Sequence, residues 1–360
     1  MRKIILTGGG TAGHVTPNLA LIPELKKSGF DIYYIGTSTG IERKLVDGMG
    51  IEYFPISAGK LRRYFDLENL ADIGRVLKGF CQSIKIIRKV KPDVVFSKGG
   101  FVSVTVVWAA RLLGVPVVIH ESDIAPGLAN RLSMPFADRI CYSFPETEKY
   151  LDRYVKNNKA RHTGIPIRSE LFSGDANTGR RICGFGEERP VLLVMGGSQG
   201  SRFINNAVRS VLRELLLVFQ VCHVCGRGGV DNALLGLKGY KQIEYAAEEL
   251  PHLFAMADVV VSRSGATTLF ELLALRKPSL LIPLSRRASR GDQIENAESF
   301  KGKGFSYVLS EEDVNPSSFV RAVIDLYNER KAIIGRMRAS SMGDGTERVV
   351  KVILDLLVKR

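Results

Sequence analysis

A histidine stands directly after a glycine-rich loop near the start of the chain, where a strand-like run, KIILTG, gives way to a helical pattern. Gly8, Gly10 and Gly13 satisfy G-x-G-x-x-G, and His14 follows the last glycine. An imidazole beside the positive end of a helix is favoured in its neutral form and can accept a proton. The stretch predicts either a general base beside an anion-binding helix end or a tight strand-to-helix turn without a ligand.

A dinucleotide site is an alternative for this glycine pattern, and the neighbouring residues argue against it. Such a site needs an acidic residue at the end of the second strand to hold the ribose hydroxyls. Here the second strand-like run, DIYYIG, ends at Gly36 and Thr37 without a carboxylate. The loop also lacks the G-K-[ST] ending of a P-loop. The pattern therefore favours a helix N-terminus whose backbone N–H groups face another kind of anion.

A second strand-to-helix junction lies in the second half of the chain, in the stretch SRSGATTLFELLAL. Gly265 would let a ligand approach the backbone, and the guanidinium of Arg263 is predicted to offer a bidentate fork to a phosphate. Glu271 falls about two turns into the helix. Its carboxylate is either an ordinary exposed helix group or the acceptor for two adjacent sugar hydroxyls.

A polar segment, RRASRGDQIENAESF, follows the strand-like run SLLIPL. Asp292, Gln293 and Asn296 provide donors and acceptors suited to sugar hydroxyls, although they would equally suit a polar helix opening. Combined with two glycine loops, these side chains predict a nucleotide-sugar site between two domains.

The elements that must position these residues alternate along the chain as strand and helix. Nine short apolar runs predict buried strands: KIILTG, DIYYIG, DVVFSK, PVVIHE, RICYSF, PVLLVMGG, QVCHVCG, DVVVSRSG and SLLIPL. This alternation is typical of parallel, doubly wound sheets. The first loop has a partial echo in PVLLVMGGSQGSRFINNAV, which predicts two similar α/β domains. We place their join near ARHTGIPIRSE, with domains at 1–163 and 164–340 and a C-terminal helix at 341–360 that packs back on the first domain.

Composition limits the partners and the compartment. The 360 residues carry a net charge of +14, which indicates an anionic partner: nucleic acid, an anionic membrane surface or a phosphorylated substrate. Five scattered cysteines predict a reducing compartment. Cys222 and Cys225 form a C-x-x-C that is half of a zinc or redox site at best, and buried strand thiols are the simpler interpretation. The N-terminal apolar run is too short for a signal peptide, and 101–120 is too interrupted for a membrane span.

A predicted helix over 66–91 has an apolar stripe surrounded by lysine and arginine. The stripe residues are Leu70, Ile73, Leu77, Phe80, Ile84 and Ile87, with Arg75 and Lys78 among the basic neighbours. The stripe faces either the core or the headgroups of an anionic membrane.

Six motifs in this order carry a resemblance to a known family: GGGTAGHVTPNLA, KPDVVFSKGGFVS, PVVIHESDIAPGLANR, GGSQGS, ADVVVSRSGATTLFE and DQIENA. The chain resembles the MurG family, whose members complete the lipid-linked peptidoglycan precursor. The resemblance implies a GT-B fold, two Rossmann-like domains facing a deep cleft. It implies an inverting hexosyltransferase that moves GlcNAc from UDP-GlcNAc to the C4 hydroxyl of MurNAc in lipid I, giving lipid II and UDP. It implies no site metal, with a divalent cation at most stimulatory, and a peripheral position on the cytoplasmic side of a bacterial membrane among other cell-wall synthesis proteins.

The resemblance also implies a role for particular positions. On the donor side these are Thr11, Gly13, Arg168, Ser198, Ala246, Arg263, Ser264, Gly265, Ala266, Thr267, Glu271, Gln293 and Asn296. On the acceptor side they are Gly10, His14, Gly99, Gly100, Glu121, Asp123 and Asn130. On the predicted helix over 66–91, the candidate membrane contacts are Ile73, Arg75, Leu77, Lys78 and Phe80.

This sequence departs from the family pattern at two positions: HEQN reads HESD, which places Asp123 where an amide is usual, and a glutamine pair reads Asp292-Gln293. His14 and Asp123 are therefore both candidates for the base that deprotonates the acceptor hydroxyl.

Two other function classes stay open at this point. Another GT-B enzyme, such as a glycolipid glucosyltransferase or a UDP-GlcNAc 2-epimerase, would share the loops, but an epimerase leaves the basic helix unexplained. A basic nucleic-acid-binding module would need aromatic residues interleaved with lysine and arginine. Aromatic residues are only 8% of the chain and lie largely in the predicted strands, which disfavours nucleic acid as a partner.

Overall fold

The chain folds into two compact α/β units. The computed structural model describes residues 2–59, 68–197, 200–286 and 291–358, with the side chains of 68–71 left undescribed. The first unit comprises Met1–Arg168 together with Asp344–Arg360, and the second comprises Ser169–Gly343. The chain thus leaves the first unit after Arg168, and not at the predicted 163/164 boundary, and returns to it at Asp344.

The first unit is built on a parallel sheet that has seven strands in the described part of the chain, in the order β3-β2-β1-β4-β5-β6-β7. The strands are β1 Arg2–Thr7, β2 Phe30–Thr37, β3 Glu52–Ile56, β4 Val94–Ser97, β5 Val117–Glu121, β6 Arg139–Tyr142 and β7 Ala160–His162. Its helices are α1 Thr16–Lys27, α2 Ile41–Val46, α3 Glu68–Val90, α4 Phe101–Leu112, α5 Leu128–Ser133, α6 Glu148–Lys156 and α14 Thr346–Val358.

The second unit has six parallel strands among its described residues, in the order β10-β9-β8-β11-β12-β13. They are β8 Val191–Met195, β9 Gln220–Val224, β10 Tyr240–Ile243, β11 Val259–Ser262, β12 Ser279–Leu281 and β13 Ser306–Val308. Its helices are α7 Ala176–Cys183, α8 Arg202–Ser210, α9 Leu212–Val218, α10 Leu250–Met256, α11 Ala266–Ala274, α12 Asp292–Gly302 and α13 Pro316–Ala339.

Helices cover both faces of the first sheet, because successive strand residues point to opposite sides. Ile5 and Val95 pack into one buried cluster with residues of α3 and α4. Ile4 and Val94 pack into another with α1 and with Ile353 of α14. The α/β, doubly wound prediction is confirmed by this arrangement.

All nine predicted strands are present, and the structure adds β3, β7, β10 and β13. Each of these four lies at the edge of its sheet. An edge strand is half covered and can carry polar residues, so it does not produce the continuous apolar run that reveals a central strand. The strand β3, for example, has a single buried residue, Ile56.

Candidate active site

The candidate acceptor-side residues meet at the carboxyl ends of three neighbouring strands, β1, β4 and β5. The loop after β1 carries His14, the loop after β4 carries Gly99 and Gly100, and the segment after β5 carries Asp123. The strand order reverses between β1 and β4, and such a switch point is where open α/β sheets bind ligands.

His14 lies in a short 3-10 turn, Ala12–His14, just before α1 begins at Thr16. Its ring is half-buried, and Nδ1 lies 3.3 Å from the backbone carbonyl of Lys98. A carbonyl can only accept, so Nδ1 carries the proton in this contact and the neutral ring has its lone pair on Nε2. The loop therefore fixes the tautomer that a general base requires.

The first glycine loop faces a carboxylate of the protein itself, which the sequence did not predict. Glu42, fully buried at the start of α2, accepts from the Gly10 N–H at 3.2 Å and from the backbone N–H and hydroxyl of Thr37 at 2.9 and 2.6 Å. A Cβ atom at Gly9 would lie 2.6 Å from a Glu42 oxygen. The Gly10 N–H therefore binds a carboxylate of the protein itself, and the binding of an external anion by this loop stays a prediction.

Gly99 and Gly100 form a second glycine turn against the first. Both have positive φ, of 97° and 87°, a region that favours glycine. A Cβ atom at Gly100 would collide with the Gly9 carbonyl, so the two loops touch through backbone alone. The amide of Asn130 lies beside Gly99.

Glu121 organises the segment that follows β5. Its carboxylate accepts from the backbone N–H of Asp123 and of Gly127, each at 3.0 Å, and from the amide of Asn130 at 2.8 Å. Burial, followed by the nearby Asp123, raises the pKa of this carboxyl. Glu121 and Asn130 thus bind each other and shape the loop, while Asp123 is half-buried.

In the second unit, Arg263 is held by the protein on several sides. Its guanidinium donates to the carbonyls of Ile282 and Pro283, to the Ser201 hydroxyl at 2.9 Å and to Glu311 at 2.6 Å. Both terminal nitrogens therefore already serve as donors within the protein. The bidentate fork toward a phosphate stays a prediction, and its terminal nitrogens would bind a phosphate in exchange for some of these partners.

The other donor-side residues gather around the start of α11. Glu271 is buried, with 6% of its surface exposed, so it is not an ordinary exposed helix carboxylate. The Ser264 hydroxyl donates to the Gln293 carbonyl at 2.8 Å, and the Gln293 side-chain oxygen accepts from the Leu284 N–H at 3.1 Å. Asn296 is fully buried and its amide lies 3.5 Å from the Ser264 carbonyl.

Gly265 caps α11, and a Cβ atom there would meet open space. The first helical positions, Ala266 and Thr267, follow it, and the backbone N–H groups of such a first turn can bind an anion.

The remaining predicted positions are dispersed. Ala246 is half-buried in the turn after β10, and Arg168 is half-buried at the last position before the second unit. Thr11 is exposed and Gly13 half-buried in the first loop. Ser198 lies outside the described residues.

The apolar stripe on α3 divides into two parts. Ile73 and Leu77 are 55% and 61% exposed, whereas Ile87 is 2% exposed and packs in the core. Phe80 and Ile84 are partly buried against that core. Among the described residues 72–90, the C-terminal part of the stripe therefore packs in the core, whereas the contact of Ile73 and Leu77 with a membrane stays a prediction. Residues 66 and 67 and the side chain of Leu70 lie outside the described part.

Both residues of the cysteine pair are buried. Cys222 lies in β9, and Cys222, His223 and Cys225 are all buried. Within 2–59, 68–197, 200–286 and 291–358, no cluster of three histidine, cysteine or acidic side chains is arranged to hold a metal ion. In the same ranges no helix has the length and hydropathy needed to cross a membrane.

Comparison with known proteins decides the family. Residues 4–142 match the glycosyltransferase family 28 N-terminal domain, and residues 191–353 match the family 28 C-terminal domain. A UDP-N-acetylglucosamine--N-acetylmuramyl-(pentapeptide) pyrophosphoryl-undecaprenol N-acetylglucosamine transferase of Clostridium kluyveri is 54% identical over 353 residues, which cover 98% of this chain and 99% of the relative. The chain belongs to glycosyltransferase family 28.

A second sequence relative supports the same family, and solved structures show the fold. The transferase of the same name from Clostridium perfringens is 51% identical over 351 residues, covering 98% of this chain and 97% of the relative. The crystal structure of Acinetobacter baumannii MurG has a TM-score of 0.76 at 22% identity and covers 99% of this chain and all of that one. A UDP-N-acetylglucosamine 2-epimerase has a TM-score of 0.70 at 15% identity over all of this chain and 97% of its own. These structures show that the family 28 chain has the GT-B fold, and the sequence relatives separate it from the epimerases.

Proposed function

We infer that the chain transfers GlcNAc from UDP-GlcNAc to the C4 hydroxyl of MurNAc in lipid I, undecaprenyl-pyrophosphoryl-MurNAc-pentapeptide, and releases lipid II and UDP. The observation that carries this inference is the 54% identity, along nearly the whole of both chains, to a transferase named for that donor and acceptor. Both catalytic halves of family 28 are present.

The acceptor-side chemistry follows from the His14 tautomer. With Nδ1 committed to the Lys98 carbonyl, Nε2 is the nitrogen that would take the proton from the acceptor hydroxyl. As that proton leaves, the hydroxyl oxygen forms a bond to C1 of GlcNAc while the bond from C1 to the UDP oxygen breaks. One in-line displacement converts the α-linked donor into a β-linked product. Asp123 is the second candidate for the base.

The donor-side chemistry requires stabilisation of the departing diphosphate. The first turn of α11, capped by Gly265 and continuing through Ala266 and Thr267, offers backbone N–H groups and the positive end of a helix dipole. Glu271 would accept hydrogen bonds from the ribose hydroxyls. The side-chain oxygen of Gln293 accepts from the Leu284 N–H, so its NH₂ group would be the donor to the sugar. Arg263 would contribute its positive charge from a position fixed by the protein.

A peripheral membrane contact on the cytoplasmic side belongs to the same proposal, because lipid I is anchored in a membrane. The exposed Ile73 and Leu77 on α3 support it, as do the exposed Arg75 and Lys78 beside them. The net charge of +14 would attract the chain to anionic lipid.

The proposal is tested by incubating the purified chain with UDP-GlcNAc and a lipid I analogue and identifying the product by mass and by its anomeric coupling. We expect a β-linked disaccharide and UDP. Release of UDP-ManNAc without acceptor would instead support an epimerase, and salt-sensitive DNA binding without UDP binding would support a nucleic-acid module. Either result without disaccharide would overturn the proposal.

Glu271→Ala tests the donor site independently of the acceptor. Loss of its carboxylate should weaken UDP-GlcNAc binding by about 1–3 kcal/mol, since buried ribose hydroxyls would lose their acceptor. Calorimetry with UDP-GlcNAc measures this, with Glu298→Ala on the exposed face of α12 as the control. Unchanged affinity in Glu271→Ala would remove this residue from the site.

A further inference from the structure

Lys98 is a buried amine in the acceptor-side site to which the family resemblance gave no role. It follows β4 and is 1% exposed. Its backbone N–H donates to the Thr7 carbonyl at the end of β1 at 2.9 Å, and its carbonyl faces Nδ1 of His14. Its ammonium Nζ donates to the hydroxyl of Ser122 in the segment after β5. One residue thus contacts all three loops at the switch point.

The surroundings of Lys98 are those of a charged group held in place. The titratable groups that face it come from the loop before α1, from β5 and the segment after it, and from β6; they are His14, His120, Glu121, Asp123 and Cys141. Burial lowers the pKa of the Lys98 ammonium, and Glu121 and Asp123 raise it, which leaves it at about 8. The side chain is therefore mostly protonated at neutral pH.

Packing alone does not account for a lysine at this position. An apolar side chain such as methionine would fill a similar volume without the cost of burying an ammonium group. The charge is compensated by a carboxylate that shapes the loop, Glu121, and by one that is a candidate base, Asp123. The ammonium of Lys98 thus contacts the segment that carries Asp123, and its backbone carbonyl contacts the ring of His14.

We propose that Lys98 is the positioning residue that joins the two candidate bases into one unit: its carbonyl fixes the imidazole of His14, and its ammonium holds the Ser122–Asp123 segment. The inference rests on the proposed function, because it assigns a role within that transfer reaction. Lys98 does not contact the reacting atoms, since its side chain is covered. Its protonated form is the working form, so transfer should decline as the pH rises through the pKa of Lys98.

The test measures kcat and KM for transfer across the pH range that brackets this basic limb. Lys98→Met should lower kcat by about 10²-fold, the effect of displacing a reacting group by roughly 1 Å, and should remove the basic limb. Lys98→Arg should move the limb to higher pH, because a guanidinium stays protonated. The KM for UDP-GlcNAc should change much less than kcat in both variants, because Lys98 belongs to the first unit and the donor residues around α11 to the second.

Ser122→Ala provides a variant with a small change in volume. It removes the hydroxyl that accepts from the ammonium, so the protonated form loses a partner and the basic limb should move to lower pH. Ser133→Ala is the matched control, a buried serine whose hydroxyl donates to the Ala129 carbonyl at 2.8 Å within α5. It should leave the limb in place, and this comparison holds even where Lys98→Met does not fold.

These experiments distinguish failure of the proposed function from failure of the role assigned to Lys98. Absence of transfer by the unaltered chain would overturn the proposed function and the role of Lys98 together. Normal transfer with an unchanged profile in Lys98→Met, or a basic limb that stays fixed in both Lys98→Arg and Ser122→Ala, would overturn the role of Lys98 alone.

Discussion

At the scale of single residues, His14 differs from His120 in its burial and from the half-buried His162 in lying at the switch point between β1 and β4. His120 is fully buried, donates through Nε2 to the Gly164 carbonyl, and has a pKa well below the usual range because of burial. His162 is tied by Nε2 to the Ser143 carbonyl. His14 is held through Nδ1 and is half-buried, so its orientation is fixed while the ring stays near solvent.

We therefore expect His14→Ala to lower kcat by about 10²–10⁴, the usual worth of a general base. UDP-GlcNAc affinity should change little, and the limb of the pH–rate profile that reports protonation of the base should disappear. His162→Ala, which removes a half-buried imidazole of the same unit, is the control. A near-normal kcat with an unaltered acidic limb would point to Asp123 as the base.

Arg263 shows that an arginine at a ligand-binding junction can also hold the fold together. Its removal would leave the carbonyls of Ile282 and Pro283 and the carboxylate of Glu311 without their donor. Arg263→Ala should lower the free energy of unfolding by about 3–5 kcal/mol, as expected when one partner of a largely buried ion pair is lost. Urea titration measures this change.

Arg202→Ala, at an exposed position on α8, is the control for that experiment. If Arg263→Ala weakens donor binding while its unfolding midpoint stays at the unaltered value, the contacts described above contribute little to stability. The arginine would then act mainly on the ligand.

The sequence predicted individual residues where the signal was local and missed them where it was not. His14 could be found because the glycines that shape its loop precede it directly. Glu42 and Lys98 could not: Glu42 reaches the loop from α2, 32 residues along the chain, and Lys98 reads as the end of a strand. Burial of a charged side chain depends on tertiary neighbours, so no pattern at helix or strand spacing reveals it.

At the scale of elements, α3 combines two surfaces that a periodic pattern cannot separate. The spacing of apolar residues is the same along the helix, but only the C-terminal part has a sheet beneath it. Ile87 packs with Val95 and Ile119 of the first sheet, whereas Ile73 and Leu77 are exposed. The apolar spacing predicted an amphipathic helix. Which part of the helix is buried depends on how far the hydrophobic core extends beneath it.

The two parts of α3 should respond differently to the same substitution. Ile73→Ser with Leu77→Ser should weaken sedimentation with anionic vesicles and leave the thermal midpoint nearly unchanged, because exposed apolar side chains add little to folding. Ile87→Ser, in contrast, should lower the thermal midpoint. Phe80 is unsuitable for the membrane test because it packs against the core.

Binding of the unaltered chain should also fall with salt, since charges are screened over about 10 Å at moderate ionic strength. If the Ile73 and Leu77 double variant binds vesicles as well as the unaltered chain, the exposed end of α3 is not the membrane contact.

At the scale of the whole molecule, the first unit is completed by the last residues of the chain. The returning segment pairs Ile165 with Asp344, the Asp344 carboxylate accepts from the Ile167 N–H at 3.0 Å, and Arg348 donates to the Thr163 carbonyl at 2.6 Å. The helix α14 then packs on β1 and α1. We predicted a C-terminal helix that packs back on the first domain, and the hydrogen bonds beside it join residues about 180 positions apart.

This arrangement predicts that a change in α14 destabilises the N-terminal half of the sequence. Ile353 is fully buried beside the sheet, so Ile353→Ala should cost about 2–5 kcal/mol of unfolding free energy. The single tryptophan, Trp108, lies on α4 of the first unit and donates to the Leu132 carbonyl, so its fluorescence reports on that unit. The denaturant midpoint of the fluorescence transition should fall in Ile353→Ala and stay unchanged in Val358→Ala, whose side chain is 76% exposed. A fluorescence transition that stays in place while the circular dichroism transition of Ile353→Ala moves would show that α14 stabilises the second unit instead.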